Sequence, residues 1–267
     1  MTTRHLLASD LDGTLFPSRP DPRHARAVAR LHALVGRRPD LALAYVTGRN
    51  LALSLQAVQQ WRLPWPDFLC PDLGTAVYRR YGERWREDTR YRRRMERAMG
   101  GVTGEHLLAV LAEIDGVKPQ DPAHQSPFKT SFTLAPGQPG RRTVAWVERT
   151  LRDLGYQLSC VTSRDLHSRQ LLLDILPAGV DKGTSVTYLQ QCLGLTSADV
   201  VYCGDSGNDL GAMRRSFRVV LPANADPELR RRLRETGCFD GTVPRCYLSP
   251  HPHLWGVLDG CRYFGIT

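Results

Sequence analysis

Two aspartates near the start of the chain have the spacing of a paired-carboxylate catalytic site. Asp10 and Asp12 lie in the segment SDLDGT at 9–14, directly after an apolar run. One carboxylate can attack phosphorus, while its neighbour donates and then accepts a proton. Both face one polar site only if Asp12 has left the strand, and Gly13 permits the tight turn that this requires. An ordinary Asp-Gly turn is the alternative that this segment alone leaves open.

A second acidic cluster lies at 204–209, where the sequence reads GDSGND. Asp205, Asn208 and Asp209 supply oxygen atoms, which suit Mg²⁺ because this ion binds one or two carboxylates together with water and substrate phosphate. The segment has a superficial likeness to a Ca²⁺ loop. Its place after a strand and the missing downstream bidentate glutamate argue against an EF-hand.

Two further segments could hold the oxygens of a phosphoryl group. In TGR at 47–49, the hydroxyl of Thr47 and the backbone N–H groups around Gly48 lie at a helix start and form a small anion cradle. A plain N-cap and turn is the alternative. Lys182 precedes a helix in DKGT at 181–184 and could neutralise charge that develops on a phosphoryl group. A surface lysine is the alternative there.

Three of these segments follow short apolar runs, which must position them. The runs span 5–9, 41–46 and 199–203. Such runs are typical of buried strands in a parallel sheet, whose functional loops lie at the carboxyl ends. Helical patterns alternate with them at 22–35, 51–61 and 184–193. The sequence therefore predicts an α/β fold with a doubly wound parallel sheet, and a ligand site where the strand ends converge.

The middle of the chain predicts an inserted α+β module. It is rich in arginine and carries Gly and Pro breaks between its elements. Helical patterns cover 90–99, 104–115 and 143–154, and strand-like ones cover 129–134 and 157–161. The run at 171–177 then predicts a strand that returns toward the core. We expect a first core part at 1–81, a cap insert at 82–170 and a second core part at 171–267.

The formal net charge of +9 comes from arginines concentrated at 92–94 and 230–234. Both runs lie in helical patterns without interleaved aromatic residues, so a solvated face is favoured over a nucleic-acid site, and no nucleic-acid partner is predicted. A basic surface would also attract a phosphorylated substrate. No window offers the roughly 18 apolar residues of a membrane span. The first acidic residues come too early for a signal peptide, so a cytoplasmic protein is predicted.

The seven cysteines are scattered and show no CxxC pair. Several of them gather with histidines near the C-terminus, where zinc is conceivable: Cys238, Cys246, Cys261, His251 and His253. Their spacing fits no standard zinc pattern. Reduced, partly buried thiols are therefore expected.

Taken in order, DxDGT, a strand-terminal TGR, a lysine before a helix and GDSxND resemble the four motifs of the haloacid dehalogenase (HAD) superfamily of phosphatases. The long insert between Thr47 and Lys182 resembles the subgroup with a large α+β cap. The resemblance implies that Asp10 is a nucleophile that forms an aspartyl-phosphate. It also implies that Asp12 protonates the leaving group and then deprotonates the hydrolytic water.

The same resemblance implies Mg²⁺ as cofactor and a set of residues around it. The metal would be held by Asp10, the backbone carbonyl of Asp12 and Asp205, with Asp209 orienting its water shell from outside. The phosphoryl oxygens would be surrounded by Thr47, Gly48, Asn208 and Lys182. Arg49, beside this cradle, would reach the phosphate or a sugar hydroxyl, as would Asn50.

A narrower likeness is to the sucrose-phosphate phosphatases. It is carried by PDFLCPDLGT at 66–75, FKTSF at 128–132, LDILP at 173–177 with KG at 182–183, and CGDSGND at 203–209. It implies a phosphorylated sugar as substrate, sucrose 6-phosphate first, and a sugar-phosphate synthase as a candidate partner. Mannosyl- or glucosyl-3-phosphoglycerate, another phosphosugar, and a non-catalytic partner of a synthase stay open as alternatives.

Substrate recognition is expected in the cap. Lys129 is the leading candidate because Phe128 and Phe132 indicate a strand whose alternate residues face the site. Gln125 and His124 are further candidates, with surface loop positions as the alternative. Three aromatic residues could stack on a sugar, although packing in the core is favoured for them: Trp61, Trp65 and Trp85.

Overall fold

The computed structural model describes residues 3–17, 19, 21–135, 140–165, 168, 170–240 and 244–267. Its strands are β1 (His5–Ser9), β2 (Leu41–Val46), β3 (Phe68–Cys70), β4 (Tyr78–Tyr81), β5 (Arg84–Glu87), β6 (Val117–Pro119), β7 (Thr130–Leu134), β8 (Leu158–Arg164), β9 (Leu171–Pro177), β10 (Val200–Cys203), β11 (Arg218–Leu221) and β12 (Cys246–Leu248). Its α-helices are α1 (His24–Arg37), α2 (Leu51–Gln60), α3 (Thr89–Met99), α4 (Gly104–Leu111), α5 (Gly140–Asp153), α6 (Lys182–Cys192), α7 (Leu210–Met213), α8 (Pro227–Arg234) and α9 (His253–Tyr263).

The larger sheet has eight strands in the order β12-β11-β10-β1-β2-β3-β4-β5. The six strands from β12 to β3 are parallel, and β4 and β5 add an antiparallel hairpin at one edge. All six residues of β2 are buried. Its near-continuous apolar sequence follows from burial on both faces, which is the usual condition of a parallel strand.

Helices cover both faces of this sheet. Alternate residues of β1 belong to the two layers: Leu7 contributes to the layer of α1, α2 and α9, whereas Leu6 and Ala8 contribute to the layer of α6, α7 and α8. A strand with two buried faces sends successive side chains to opposite layers. The predicted doubly wound α/β core is confirmed.

A second sheet of four strands has the order β6-β7-β9-β8, and its described pairings are antiparallel. Phe132, Leu173 and Ile175 join one apolar cluster with buried residues of α3, α4 and α5. Ser131 pairs with Asp174 between these positions, so both lie on the opposite face. The predicted inserted α+β cap is thus a sheet with helices packed against one face.

Two strands differ from the predicted division of the chain. Residues 84–87 pair with β4 in the large sheet, although we expected the cap to begin at 82. Residues 171–177 pair with β7 and β8 in the cap sheet, although we expected them to return to the core. An apolar run reveals a buried strand but not the sheet that receives it. We therefore propose that the cap spans about 88–178.

The cysteine prediction is wrong at one pair. Cys238 and Cys246 form a disulfide, which removes both from the candidate zinc set. The remaining cysteines are free, and Cys70, Cys203 and Cys261 are buried. Within the described ranges, every helix is too short or too polar to cross a membrane. The cytoplasmic location stays a prediction.

Candidate active site

The carboxyl ends of three neighbouring strands bring the predicted residues together. Strand β1 lies between β2 and β10, and Ser9 is in register with Tyr45 on one side and Cys203 on the other. The segments that follow these residues therefore start at the same edge of the sheet. The strand ends therefore converge as predicted, and a ligand site at this edge stays a prediction.

Asp10 is the first residue after β1 and is 3% exposed. Its backbone N–H donates to the Cys203 carbonyl at 2.9 Å, which continues the pairing with β10 beyond the strand. Its Oδ1 accepts a 2.8 Å hydrogen bond from the Leu11 backbone N–H. The carboxylate is thus held in one orientation at the mouth of the sheet.

Lys182 is fully buried at the first residue of α6, and its ammonium lies between two carboxylates. Nζ is 2.9 Å from Asp10 Oδ2 and donates a 2.8 Å hydrogen bond to Asp209 Oδ1. Burial alone would lower the pKa of Lys182, but the charges of Asp10 and Asp209 raise it above its usual range. The lysine stays protonated, and a surface position is excluded.

Asp209 organises the loop after β10. Besides Lys182, the Tyr202 hydroxyl donates to Oδ1 at 2.7 Å, and the backbone N–H groups of Asp205 and Ser206 donate to Oδ2 at 3.1 and 3.0 Å. Ser206 Oγ adds a fifth donor at 3.4 Å, so Asp209 serves to orient the groups around it. Asp205, in contrast, accepts a 2.7 Å hydrogen bond from Thr14 Oγ1.

Three carboxylates share a small volume, and one oxygen each of Asp10, Asp205 and Asp209 lies within 4.8 Å of the others. Burial raises the pKa of Asp10 well above its usual range; Lys182 lowers it and Asp209 adds to the rise. Burial and the charge of Asp209 raise the pKa of Asp205 to about 7. One buried ammonium against three carboxylates leaves a deficit of positive charge. This oxygen donor set fits a divalent cation such as Mg²⁺.

Two glycines allow the loops to approach this closely. Gly13 has φ +76°, and a Cβ there would lie 2.3 Å from Asp205 Oδ2. A Cβ on Gly204 would lie 2.5 Å from Asp209 Cγ. Each glycine therefore leaves space that a carboxylate occupies.

Arg49, which lies beside the cradle of Thr47 and Gly48, also contacts Asp12. Its Nε and Nη2 donate to the two carboxylate oxygens of Asp12, each at 2.7 Å. The bidentate arrangement is the strong form of such a pair, and both side chains are about one-third exposed. The sequence predicted Arg49 for phosphate and missed this pairing.

The other cradle residues lie beside the carboxylates. Thr47 is fully buried, and its Oγ1 accepts the Arg49 backbone N–H at 3.2 Å. Gly48 is half-buried next to Leu73. Asn208 is half-buried, and its Oδ1 accepts from Ser206 Oγ at 3.0 Å. The predicted phosphate-binding roles of these three residues stay predictions.

The family model of sucrose-6F-phosphate phosphohydrolase matches residues 3–265. The chain belongs to this family. It is therefore a phosphoric monoester hydrolase of the HAD superfamily, as the four motifs predicted.

Three known proteins are similar to this phosphatase over most of its length. It is 29% identical to the sucrose-phosphatase of Synechocystis sp. PCC6803, solved in complex with sucrose and phosphate, with 99% of each chain covered and a TM-score of 0.83. It is 27% identical to the mannosylfructose-phosphate phosphatase of Agrobacterium fabrum over 100% of this chain and 99% of the relative. It is 31% identical to a HAD-like hydrolase of Nitrosococcus oceani over 86% of this chain, and spans 62% of that protein's length.

Lys129 lies on the predicted face of the cap but is buried in the junction with the core. Its Nζ donates to the His124 carbonyl at 2.8 Å and to Ser131 Oγ at 2.9 Å. It also lies 3.8 Å from a carboxylate oxygen of Asp72 in the core and of Asp174 in the cap. Gln125 is half-buried beside it and braces Ser131 through the backbone N–H and carbonyl of that residue. Their substrate contacts stay predictions.

The remaining candidates divide between the site and the core. Asn50 caps α2 through Leu53 N–H and donates to the Ala123 carbonyl at 2.7 Å, which links the core to the cap. Trp61 stacks on Phe16 with ring centroids 5.0 Å apart. Trp85 also packs against the core layer, whereas Trp65 is 42% exposed. The packing alternative therefore holds for two of the three tryptophans.

Sequence reasoning missed Asp72 as a charged group of the junction. Asp72 and Leu73 have φ of +53° and +58°, and Gly74 follows at +82°. Asp72 Oδ1 is buried without a hydrogen-bond donor among the described residues. Burial raises the pKa of Asp72 to about 7; Lys129 opposes the rise and Asp174 adds to it. Asp72 lies in the DLGT segment, but the sequence of this segment does not predict three consecutive residues with left-handed backbone angles.

Replacement of Gly13 tests the close approach to Asp205. In Gly13→Ala, the new methyl group collides with the carboxylate, and we expect kcat to fall by about 100-fold because a displacement of roughly 1 Å is that costly at a reacting site. Gly82→Ala is the matched control, since Gly82 has φ +63° and nothing within 4 Å of its Cβ position. Both variants should lose similar stability, because an alanine with positive φ is strained at either position. Thermal unfolding measures this strain, and steady-state kinetics measures the additional effect of the collision with Asp205. Equal activity in the two variants would contradict the assignment.

The raised pKa of Asp72 predicts a pH-dependent stability. The unfolded carboxyl ionises near pH 4, whereas burial keeps it protonated in the folded protein up to about pH 7. The folded state binds more protons in this window, so its stability falls as pH rises through it. Asp72→Asn should flatten this dependence by an amount on the order of a few kcal/mol, measured by urea unfolding between pH 4 and 8. The exposed Asp153→Asn variant should keep the wild-type slope; a wild-type slope in Asp72→Asn would refute the assignment.

Proposed function

We propose that this phosphatase hydrolyses a phosphorylated sugar in a Mg²⁺-dependent reaction, with sucrose 6-phosphate as the first candidate. The main support for this proposal is the buried ion cluster in which Lys182 pairs with Asp10 where three strand ends converge. The names of the Synechocystis and Agrobacterium relatives support a sugar phosphate as substrate class. The cap sheet, whose polar face lies against this edge of the core, supports recognition of a group larger than phosphate.

In this proposal, Asp10 acts as the nucleophile. The Leu11 N–H and Lys182 hold one oxygen each, so the carboxylate presents a fixed edge to an incoming phosphorus atom. Attack forms an O–P bond to Asp10 and breaks the bond between phosphorus and the sugar oxygen. Lys182 lies next to the position of the transferring group, where its charge stabilises the phosphoryl oxygens.

In this proposal, Asp12 transfers the proton. It would give a proton to the departing sugar oxygen and later take one from the water that hydrolyses the aspartyl-phosphate. Arg49 holds both Asp12 oxygens in this arrangement, so neither oxygen is available to a leaving group. We infer that substrate phosphate draws Arg49 away from Asp12, and that the freed carboxylate then takes a proton from water before it serves as the acid.

Mg²⁺ would be held by Asp10, the backbone carbonyl of Asp12 and Asp205, with Asp209 outside them. The bound ion would supply charge that neutralises the phosphoryl oxygens and orients the phosphate. Asp209 accepts hydrogen bonds from Lys182 and from two backbone N–H groups of the loop, and so fixes both relative to Asp10.

Sucrose 6-phosphate has specific alternatives. Mannosyl- or glucosyl-3-phosphoglycerate and other phosphosugars would use the same core chemistry, because the shape of the cap pocket decides among them. Association with a sugar-phosphate synthase also stays a proposal, and co-purification of the two proteins would test it. The acids and the lysine required for hydrolysis are all present, so a non-catalytic role has no support here.

A substrate panel tests the proposal directly. With Mg²⁺, we expect phosphate release from sucrose 6-phosphate at a kcat/KM at least tenfold above that for mannosyl- and glucosyl-3-phosphoglycerate. Asp10→Asn should abolish turnover because an amide does not attack phosphorus. Removal of metal by a chelator should also abolish it, and added Mg²⁺ should restore it.

Asp153→Asn, an exposed change of the same chemistry, serves as the control and should keep full activity. Unchanged turnover in Asp10→Asn would refute the nucleophile. Preference for another panel member would refute sucrose 6-phosphate as the substrate, but it would not contradict the proposed aspartyl-phosphate mechanism.

Arg49 variants test the release of Asp12. Arg49→Met removes a charged group that the proposal moves onto phosphate, so we expect KM to rise by about tenfold, the factor equivalent to about 1.4 kcal/mol. Arg49→Lys keeps the charge without the planar fork and should recover only part of the loss. Steady-state kinetics of both variants measures this. A KM that stays at the wild-type value in Arg49→Met would contradict a phosphate contact.

A further inference from the structure

A cavity of about 1120 Å³ lies between the cap and the core beside the catalytic carboxylates. Its cap wall is formed by β8 and the first turns of α5, and its core wall by the loop after β10 and the start of α8. A Cβ on Gly207 would lie 3.6 Å from the Thr162 carbonyl, so the loop and β8 meet at one side of it. We call this cavity the β8 cleft.

The β8 cleft is continuous with the phosphoryl site. Gly13, Asp205 and Asn208 line its inner end. A substrate whose phosphate lies at Asp10 therefore has the β8 cleft as space for its remaining groups. The groups that line the outer part of the cleft then meet the part of the substrate beyond the phosphate.

Four arginines line the β8 cleft: Arg164 at the end of β8, and three from separate helical segments. Arg141 lies in the first turn of α5, Arg214 directly follows α7, and Arg232 lies in α8. All three are exposed. Across the described chain, none of their side chains has a hydrogen bond or an ion pair within 4 Å, in contrast to Arg215, whose side chain pairs with Asp181 at 2.7 Å. Their guanidinium groups are therefore available to a ligand.

The acidic residues of the β8 cleft are mostly committed elsewhere. Asp181 pairs with Arg215, and Asp226 caps α8 through the Glu228 N–H at 2.8 Å. Glu228 pairs with Arg231 at 2.7 Å, and this pairing lowers the pKa of its carboxyl. The charges of Arg232 and Arg141 lower the same pKa further. Glu148 is the remaining acid of the wall. The three guanidinium groups of Arg141, Arg214 and Arg232 thus exceed this one available carboxylate by two.

We propose that the β8 cleft binds a second anionic group of the substrate, a carboxylate or a phosphate, through Arg141, Arg214 and Arg232. This inference rests on the proposed function and concerns its alternative substrates: among phosphorylated sugars other than sucrose 6-phosphate, it favours those that carry a second negative charge. Guanidinium groups suit both anions because their N–H groups match paired oxygens. A neutral sugar leaves the same three groups solvated and gains nothing from them.

Two matched substrate pairs test the proposal and separate the two anions. Glucosyl-3-phosphoglycerate differs from glucosylglycerol 3-phosphate by a carboxylate in place of a hydroxymethyl group. Glucose 1,6-bisphosphate differs from glucose 6-phosphate by a second, remote phosphate. We expect kcat/KM to be higher for the more anionic member of at least one pair by about tenfold, since several exposed ion pairs together reach that size. The pair with the larger ratio identifies the anion.

Variants assign the effect to the cleft. In the triple variant Arg141→Gln, Arg214→Gln and Arg232→Gln, the ratio within the responsive pair should fall to near one. The control triple Arg90→Gln, Arg93→Gln and Arg94→Gln removes the same charge from exposed positions of α3 outside the cleft and should keep the wild-type ratio. Circular dichroism confirms that both triples are folded.

A ratio near one for both pairs in the wild type would overturn the proposal, as would equal loss of the ratio in the two triples, which would indicate a general effect of net charge. If the phosphatase hydrolyses none of the four compounds, the separate assay with sucrose 6-phosphate decides the proposed function. Calorimetric binding of the same pairs to Asp10→Asn then decides about the cleft, and equal Kd values within both pairs would overturn it.

Discussion

The buried ammonium of Lys182 is the constraint on which the rest of the site depends. A charge in a protein interior is strongly destabilising unless it is paired and hydrogen-bonded, and here the partners are Asp10 and Asp209. These residues come from the end of β1, the loop after β10 and the start of α6. One ion cluster therefore fixes three distant parts of the chain relative to one another.

The same cluster explains why the loop after β10 has so little freedom. Oδ1 of Asp209 accepts from Lys182 and Tyr202, and Oδ2 accepts from two backbone N–H groups and from Ser206 Oγ. A loop tied in this way presents Asp205 at one position. Such support from groups that do not react is typical of sites that must hold a cation and a phosphate accurately.

The sequence was sufficient for the core of the site because its chemistry lies at the ends of buried strands. Asp10, Thr47 and Asp205 follow apolar runs that are legible from periodicity, and their convergence follows from parallel topology. Pairings that depend on side-chain direction were not legible: Arg49 with Asp12, Lys129 between Asp72 and Asp174, and the disulfide of Cys238 and Cys246. The sheet membership of 84–87 and 171–177 was missed because strand periodicity is the same in either sheet.

The link between β9 and α6 has a consequence for how this architecture diversifies. Only residues 178–181 separate the last strand of the cap from Lys182, and Asp181 is anchored at the end of this link by Arg215 and by the backbone N–H of Thr184. Lys182 and the cap module therefore share one short tether. Exchange of one cap for another is compatible with catalysis only if this tether keeps its length, so that selection on new substrates acts within the module and not at its attachment.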